Sequence, residues 1–212
     1  MTGSKEDYLR AVYKLSESVT PVSNKRLAEF LNVSPPSVSE MIGTLSKEGY
    51  IEYKPYRGSV LTPKGSEEAI KILYNHRLWE VFLANHLGLS WSESHSIAHE
   101  LEHISSSMLT EKLDEYLEYP VQCPHGFLIP RSGEVENRKL RPLSTLEIGE
   151  STYIRSVEEE VELMDYLQNL GIDINMPIVV KNISAYEGPV TLQIGEREIQ
   201  ISFKAAQRIY VD

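Results

Sequence analysis

The stretch SNKRLAEFLNVSPPSVSEMIGTLSKEGYIEYKPYRGSVLTPKG, residues 23–65, decides the fold of the N-terminal part of this chain. Its first half predicts a short helix with Ser23 as the N-cap, because its apolar residues recur at helical spacing. A second helix is predicted to begin at Ser34, followed by two prolines, which a first turn tolerates because its N–H groups have no intrahelical partner. Gly49 is its predicted end.

The segment YIEYKPYRGSVLTPKG, residues 50–65, alternates as two short strands around Arg57 and predicts a hairpin with a positively charged tip. An amphipathic helix is predicted upstream, over residues 4–18. Helix, helix, turn, helix and hairpin in this order predict a winged helix-turn-helix.

The second helix of that motif carries the short polar side chains that a recognition helix presents to base edges and phosphates. The predicted DNA-contacting residues are Ser34, Pro36, Ser37, Ser39 and Glu40, with Lys47 and Arg57 placed for phosphates. The net charge of −10 argues against nucleic acid, but residues 1–65 carry +2 and the remainder −12. The acidity therefore lies outside the predicted DNA-reading part. A helix-turn-helix used only for protein contacts is the alternative.

Histidines and acidic residues cluster at helical spacing in the middle of the chain. A spacing of four residues predicts one face for His76 with Glu80, and one face for His95, His99 and His103, with Glu102 adjacent. The lone cysteine, Cys123, is separated from His125 by one proline in the sequence CPHG. The two residues are either a pair of metal ligands or part of a simple turn. Nitrogen and carboxylate ligands suit Mn(II), Fe(II), Co(II), Ni(II) or Zn(II).

One alternative is enzymatic, because residues 99–103 match the H-E-x-x-H pattern of zinc metalloproteases, with Glu100 as the base. A protease would need a third ligand, such as Glu118, and a substrate cleft, for which a chain with a winged helix leaves little room. A further alternative is a DNA-binding protein whose metal is purely structural. We expect no enzymatic activity and no small organic substrate.

Beyond residue 65, helical patterns over residues 66–87 and 91–117 predict a dimerisation unit, and residues 131–150 are predicted to be a linker. The tail from residue 151 combines β-rich segments with one helical segment, so the fold class is α+β and multidomain. Charges interrupt every apolar stretch, and a single thiol suits a reducing compartment. We therefore expect a cytoplasmic protein without membrane contact.

Over essentially its whole length the chain resembles the diphtheria-toxin-repressor and manganese-transport-regulator family of metal-dependent repressors, and especially the manganese and iron regulators of streptococci. The resemblance rests on YRGSVLTPKG, on HRLWE at 76–80, on the H-x-x-E-H run at 99–103, and on CPHG followed by LIP. It implies a winged-helix DNA-binding domain over 1–72, an all-α dimerisation and metal-binding domain over 73–140, and an SH3-like FeoA-type small barrel over 141–212. It also implies a homodimer that, loaded with metal, represses metal-uptake genes at palindromic operators.

The resemblance also implies two metal sites. The first comprises Asp7, His76, His99, Glu102 and His103; the second comprises Glu80, Cys123 and His125, with His95 and Glu160 as further candidates. Iron-type members have methionine in place of Asp7 and cysteine in place of His99. Both differences replace a soft sulfur ligand by a harder oxygen or nitrogen ligand. This favours Mn(II), with Fe(II) and Zn(II) as the other candidates.

Overall fold

The structure is a computed structural model that describes residues 2–16, 19–131 and 139–212. The chain divides into two compact units. The first comprises Met1–His76 and Glu100–Ser106, and the second comprises Arg77–His99 and Ser107–Asp212.

The first unit contains the predicted winged helix-turn-helix, which is confirmed. Its elements are α1 (Gly3–Ser16), α2 (Asn24–Leu31), α3 (Pro35–Lys47), β1 (Ile51–Lys54) and β2 (Gly58–Leu61). The Oγ atom of Ser23 caps α2 as predicted, accepting from the backbone N–H of Arg26 at 3.3 Å. The Oγ atom of Ser34 caps α3 in the same way, accepting from the N–H of Ser37 at 3.4 Å. Asn32 closes α2 in the left-handed conformation, with φ 51°.

The three helices and the wing share one apolar core. Leu9, Leu27, Ile42 and Leu45 are completely buried in it. The wing pairs β1 with β2 antiparallel, and Val22 adds a bridge to Ser59 through two backbone hydrogen bonds of 2.9 and 2.8 Å. The bridge therefore holds the wing against the segment that precedes α2.

The helical segment that follows differs from the sequence prediction. One long helix, α4 (Pro63–Leu87), is present, but residues 91–117 form two helices, α5 (Trp91–Leu101) and α6 (Ser107–Tyr116). The Ser105 hydroxyl donates to the Leu101 carbonyl at 2.8 Å, and Ile104 N–H closes a turn on the same carbonyl. Serine side chains compete in this way with the helical backbone. His103 therefore lies beyond the end of α5, and not on one helical face with His95 and His99 as predicted.

The C-terminal part of the second unit is a six-stranded antiparallel sheet with the order β3-β8-β4-β5-β6-β7. Its elements are β3 (Arg141–Pro142), β4 (Ser151–Val157), α7 (Val161–Asn169), β5 (Pro177–Ile183), β6 (Val190–Ile194), β7 (Arg197–Ile201), α8 (Phe203–Ala206) and β8 (Ile209–Val211). The predicted linker over 131–150 is thus partly wrong: β3 and a 3₁₀ turn at Leu143–Thr145 belong to this domain, while residues 132–138 lie outside the described ones.

The core of this domain includes Met164 and Leu167 of α7 and Ile154 of β4, all completely buried. Trp91, at the start of α5, packs on the same cluster, and its backbone N–H donates to the Gln168 side chain at 2.9 Å. The C-terminal domain is therefore joined to α5 within the second unit. Among the described residues, no helix has both the length and the apolar character that crossing a membrane requires.

Candidate metal centres and DNA-reading face

The predicted DNA-contacting residues of α3 lie together on one solvent-exposed face. Ser34, Pro36, Ser37, Ser39 and Glu40 are all exposed. The opposite face of α3 is buried in the core through Val38, Ile42 and Leu45. The Ser39 hydroxyl donates to the Pro35 carbonyl at 3.1 Å and accepts from Asn24 Nδ2 at 3.3 Å. The local sequence therefore places short polar groups outward, while their contacts with DNA stay a prediction.

The two predicted phosphate contacts are also exposed. Lys47 ends α3, and Arg57 lies in the turn between β1 and β2 next to Tyr56, whose φ is +63°. Lys64, after the wing, has a structural contact, since its Nζ donates to the Glu48 carbonyl at 3.0 Å and lies 3.9 Å above the Tyr50 ring. That contact satisfies a carbonyl at the C-terminal end of α3.

A group of potential ligands, the first cluster, lies within the first unit and comprises Asp7, His76, Glu102 and His103. Ligand atoms of Asp7, Glu102 and His103 all lie within 4.8 Å of one another. His103 Nε2 is 3.1 Å from Asp7 Oδ1 and 3.5 Å from Glu102 Oε1. His76 Nδ1 is 2.5 Å from Glu102 Oε2, and both side chains are completely buried. The first cluster thus connects α1, α4 and the segment after α5.

Two further side chains of α1 contact the first cluster, and neither was predicted from the sequence. Glu6 Oε2 is 2.6 Å from His103 Nδ1, and Arg10 Nη1 donates to Glu102 Oε2 at 3.0 Å. Arg10 follows Asp7 by three residues, so helical spacing could have identified it. His99 belongs to the second unit. Its membership of a first site with Asp7 stays a prediction.

The second cluster lies within the second unit and comprises Glu80, His95, Cys123, His125 and Glu159. Its ligand atoms form two overlapping groups, each within 4.8 Å: Glu80, His95 and Glu159 in one, and Glu80, Cys123, His125 and Glu159 in the other. Glu80 Oε1 is 2.8 Å from His95 Nδ1 and 3.2 Å from His125 Nδ1. Cys123 Sγ lies 3.9 Å from His125 Nδ1. Glu80 and Glu159 are therefore common to both groups, and Glu80 contacts both imidazoles.

A tight turn brings Cys123 and His125 together. Cys123 exchanges backbone hydrogen bonds with Phe127 and Gly126, both 2.9 Å long, and Gly126 has φ +86°. His125 Nε2 is 3.3 Å from the Trp91 carbonyl, an acceptor only. An N–H at Nε2 leaves the lone pair at Nδ1, which faces Glu80 and Cys123.

The pKa values of Cys123 and His125 in this turn depend on burial and on the Glu80 carboxylate. Burial raises the pKa of the Cys123 thiol, and the Glu80 carboxylate raises it further. Burial by itself lowers the pKa of His125, but Glu80 and Cys123 together hold it well above its ordinary value. A metal binds the deprotonated ligands, so uptake by this pair releases protons and strengthens as the pH rises.

Glu160 contacts basic residues and is not among the grouped ligand atoms of the second cluster, so its role as a metal ligand stays a prediction. One Glu160 oxygen accepts from Arg208 Nη1, and the other is 4.0 Å from Lys204 Nζ. Glu159, one residue earlier, lies in the second cluster as its second carboxylate beside Glu80. Glu158 contacts Arg208 as well, at 3.5 Å. In extended backbone, successive side chains point in opposite directions, so Glu159 is directed away from Arg208.

The donor sets of both clusters fit a divalent transition metal. Carboxylate oxygens and imidazole nitrogens converge in the first cluster, and a thiol joins them in the second. Glu80, Glu102, Cys123 and His125 are nearly or completely buried. Grouping ionisable side chains out of water is unfavourable unless a counter-charge or metal compensates it, so a bound dication would stabilise both arrangements.

A winged helix joined to clusters of oxygen, nitrogen and sulfur donors defines a class of DNA-binding protein with metal-binding residues. Three family models match the chain: the N-terminal DNA-binding domain of iron-dependent repressors at residues 1–59, their metal-binding and dimerisation domain at 62–131, and the FeoA domain at 141–212.

Relatives and solved structures match along most of the chain. An uncharacterized HTH-type transcriptional regulator of Methanocaldococcus jannaschii is 40% identical over 119 residues, covering 56% of this chain and 95% of that protein. The iron-dependent repressor IdeR of Mycobacterium leprae is 29% identical, covering 100% of this chain and 98% of its own. The structure of a manganese-dependent transcriptional repressor in complex with manganese superposes with a TM-score of 0.90 at 30% identity, covering 98% of both chains.

This chain therefore belongs to the diphtheria-toxin-repressor and manganese-regulator family, and it is a metal-dependent transcriptional repressor. The family is not enzymatic, which excludes the metalloprotease reading of residues 99–103. The predicted fold class is confirmed in all three of its parts, winged helix, helical domain and FeoA-type sheet.

Proposed function

We propose that this repressor is activated by Mn(II) and, as a homodimer, binds palindromic operators of metal-uptake genes. The observation that carries the proposal is the first cluster, in which the α1 residue Asp7 meets Glu102 and His103. It ties α1 of the winged-helix domain to Glu102 and His103, which lie outside that domain in the sequence. A change of ligand occupancy there acts directly on α1.

The ligand chemistry supports Mn(II) over softer metals at the first cluster. Its members offer two carboxylates and imidazole nitrogens, and harder oxygen ligands favour manganese. The similar structure with manganese bound supports the same choice. Fe(II) and Zn(II) are the competing activators, because one relative is named as iron-dependent and Cys123 supplies a softer ligand to the second cluster.

The chain's own residues transmit the signal. A bound dication supplies two positive charges that offset the repulsion between Asp7 and Glu102. Asp7 then stays beside Glu102 and His103, and α1 keeps its packing on α2 and α3 through Leu9 and Val12. A fixed α1 holds the winged-helix domain in one position. In a symmetric dimer, the two winged-helix domains must lie about 34 Å apart, or a multiple of that distance, to enter successive major grooves.

Exposed apolar residues support the homodimer. Ile97 of α5 is 39% exposed, and Met108 and Leu109 of α6 are 74% and 45% exposed. Large apolar side chains that remain in contact with water on neighbouring helices mark an interaction surface. A second copy of the chain is the partner we propose, in agreement with the match to a dimerisation domain.

A DNA-binding titration tests this function. Chelated protein is mixed with promoter fragments of metal-uptake genes at fixed salt, and Mn(II), Fe(II) or Zn(II) is added in steps. We expect Mn(II) to tighten DNA binding about 5- to 150-fold, the usual range of allosteric coupling. Asp7→Ala and Cys123→Ala should each weaken this response, while Glu67→Ala, an exposed carboxylate of α4, should leave it unchanged.

Three outcomes contradict parts of the proposal. Equal DNA binding with and without metal would exclude metal activation. Unfolding on chelation, seen by circular dichroism, would support a purely structural metal. Activation by Fe(II) or Zn(II) but not by Mn(II) would keep the sensor and change its metal.

The wing tip allows an independent prediction about DNA. Each phosphate contact contributes about 0.9 to the slope of log affinity against log salt, so Arg57→Ala should reduce the slope of a dimer by about 2. Binding should weaken similarly on specific and unrelated sequences. Lys181→Ala, which removes an exposed cation of β5, should change neither. An unchanged slope for Arg57→Ala would exclude a phosphate contact by Arg57.

A further inference from the structure

His103 is contacted by carboxylates on both of its ring nitrogens. Glu6 Oε2 lies 2.6 Å from Nδ1, while Asp7 Oδ1 and Glu102 Oε1 lie 3.1 and 3.5 Å from Nε2. The His103 and Glu6 side chains are 17% and 13% exposed, so little water competes for these contacts. The two nitrogens therefore have different partners.

Glu6 is excluded from the ligand groups themselves. Among the described residues, every group of ligand atoms that lie within 4.8 Å of one another lacks Glu6, whereas Asp7, Glu102 and His103 share one. The Glu6 carboxylate thus approaches the ring from the side opposite to the potential metal position. Glu6 thus has the position of a carboxylate that accepts a hydrogen bond from the histidine nitrogen facing away from the metal.

We propose that Glu6 is a positioning residue for the first cluster, which selects the His103 form with a proton on Nδ1 and the lone pair on Nε2. A carboxylate only accepts, so a ring nitrogen that faces one carries an N–H, and without metal both nitrogens of His103 face carboxylates. A dication held by Asp7 and Glu102 would replace the proton on Nε2, while Glu6 keeps the proton on Nδ1. A metal-ligating histidine commonly donates its second ring N–H to a carboxylate in this way.

The backbone of α1 fixes the ring from a third direction. A Cβ at Gly3 would lie 3.3 Å from His103 Cγ, so the helix packs directly against the imidazole. Gly3 and Glu6 are three residues apart and share one face of α1. The first turn of the helix therefore provides both the surface against which the ring packs and the acceptor that sets its proton.

The role of Glu6 depends on the proposed function, and its test uses readouts other than repression. In full-length protein carrying Cys123→Ala, Mn(II) binding is followed by electron paramagnetic resonance of free Mn(II). We expect Glu6→Leu to weaken Mn(II) binding by about 10- to 100-fold, the usual effect of losing such a partner. Glu6→Gln should bind nearly as the parent does, because its amide oxygen still accepts from Nδ1.

A spectroscopic readout separates positioning from a general effect on α1. Long-range proton–nitrogen NMR spectra of the Zn(II)-loaded protein, with His103 assigned by His103→Gln, report which ring nitrogen carries the proton. The parent and Glu6→Gln should show protonated Nδ1, and Glu6→Leu should lose this pattern. If Glu6 acted only through its charge at the start of α1, Gln and Leu would be equally damaging.

The outcomes are distinguishable from those of the proposed function. Parental Mn(II) affinity in Glu6→Leu, equal losses in both variants, an unprotonated Nδ1 in the parent, or no Mn(II) binding to the parent would each overturn the proposal. If the Glu6 variants behave as expected but DNA affinity does not change with metal, the positioning role of Glu6 stands and the proposed metal activation of DNA binding is wrong.

Discussion

Gly126→Ala should lower the free energy of unfolding by about 3 kcal/mol or more, because it combines left-handed backbone strain with an overpacked contact. A Cβ at this position would lie 1.9 Å from the Arg155 carbonyl oxygen and 2.9 Å from Ser156 Cα. Both atoms belong to the backbone of β4, so no side-chain rotation relieves the clash. The turn or the strand must move.

The movement would also disrupt the second cluster. The His125 carbonyl accepts from the Val157 N–H at 3.0 Å, and Glu159 follows two residues later. This contact sets the distance between the turn with Cys123 and His125 and the chain that carries Glu159. We therefore expect Gly126→Ala to weaken metal binding at the second cluster in addition to destabilising the domain.

Gly149→Ala is the matched control for this experiment. Its φ is +90°, close to the +86° of Gly126, but a Cβ there meets nothing within 4 Å. Left-handed strain alone should lower the free energy of unfolding by about 1 to 2 kcal/mol. Urea unfolding of the chelated proteins measures both values. Similar losses in the two variants would show that the close approach to β4 contributes little.

The winged helix could be predicted from sequence because its signals are local. Ser23, Ser34 and the prolines after it act within one helical turn, and the structure places α2 and α3 within a few residues of the predicted bounds. The break between α5 and α6 could not be predicted in the same way. Apolar residues continue at helical spacing through Ile104 and Met108, whereas the break depends on how the Ser105 side chain bonds to backbone.

The candidate ligands also divide into those that local spacing predicts and those that depend on the folded chain. Histidine spacing identified His76 and His95, but the choice among Glu158, Glu159 and Glu160 was beyond the sequence. Three adjacent glutamates are chemically equal, and only the direction of the extended chain and the position of Arg208 separate them. Glu6 was missed because its role depends on a ring 97 residues away.

Glu80→Gln should produce the largest loss of metal affinity in this protein, at least about 100-fold at the second cluster, since loss of a mere supporting partner already costs 10- to 100-fold. Glu80 is completely buried, and its Oε1 is within 3.2 Å of two different imidazoles, those of His95 and His125. The neutral amide removes the negative charge that a dication needs and places an N–H among ligand atoms.

Co(II) provides a probe that is specific for this cluster, because a thiolate bound to Co(II) gives a charge-transfer absorption and Cys123 is the chain's single thiol. The absorption should appear in the parent, disappear in Cys123→Ser, and require at least about 100-fold more Co(II) in Glu80→Gln. Glu159→Gln should need about 10- to 100-fold more, because one carboxylate of the group is lost while Glu80 remains.

Glu160→Gln is the matched control, since it changes the adjacent carboxylate, which contacts Arg208. It should titrate as the parent does. If Glu160→Gln lost affinity and Glu159→Gln did not, Glu160 would be the ligand that the C-terminal domain supplies. The backbone before α7 would then have to change conformation when metal binds, so that Glu160 replaces Glu159 in the cluster. If Glu80→Gln kept parental affinity, the ligands would be the histidines and Cys123, with Glu80 acting only as their hydrogen-bond acceptor.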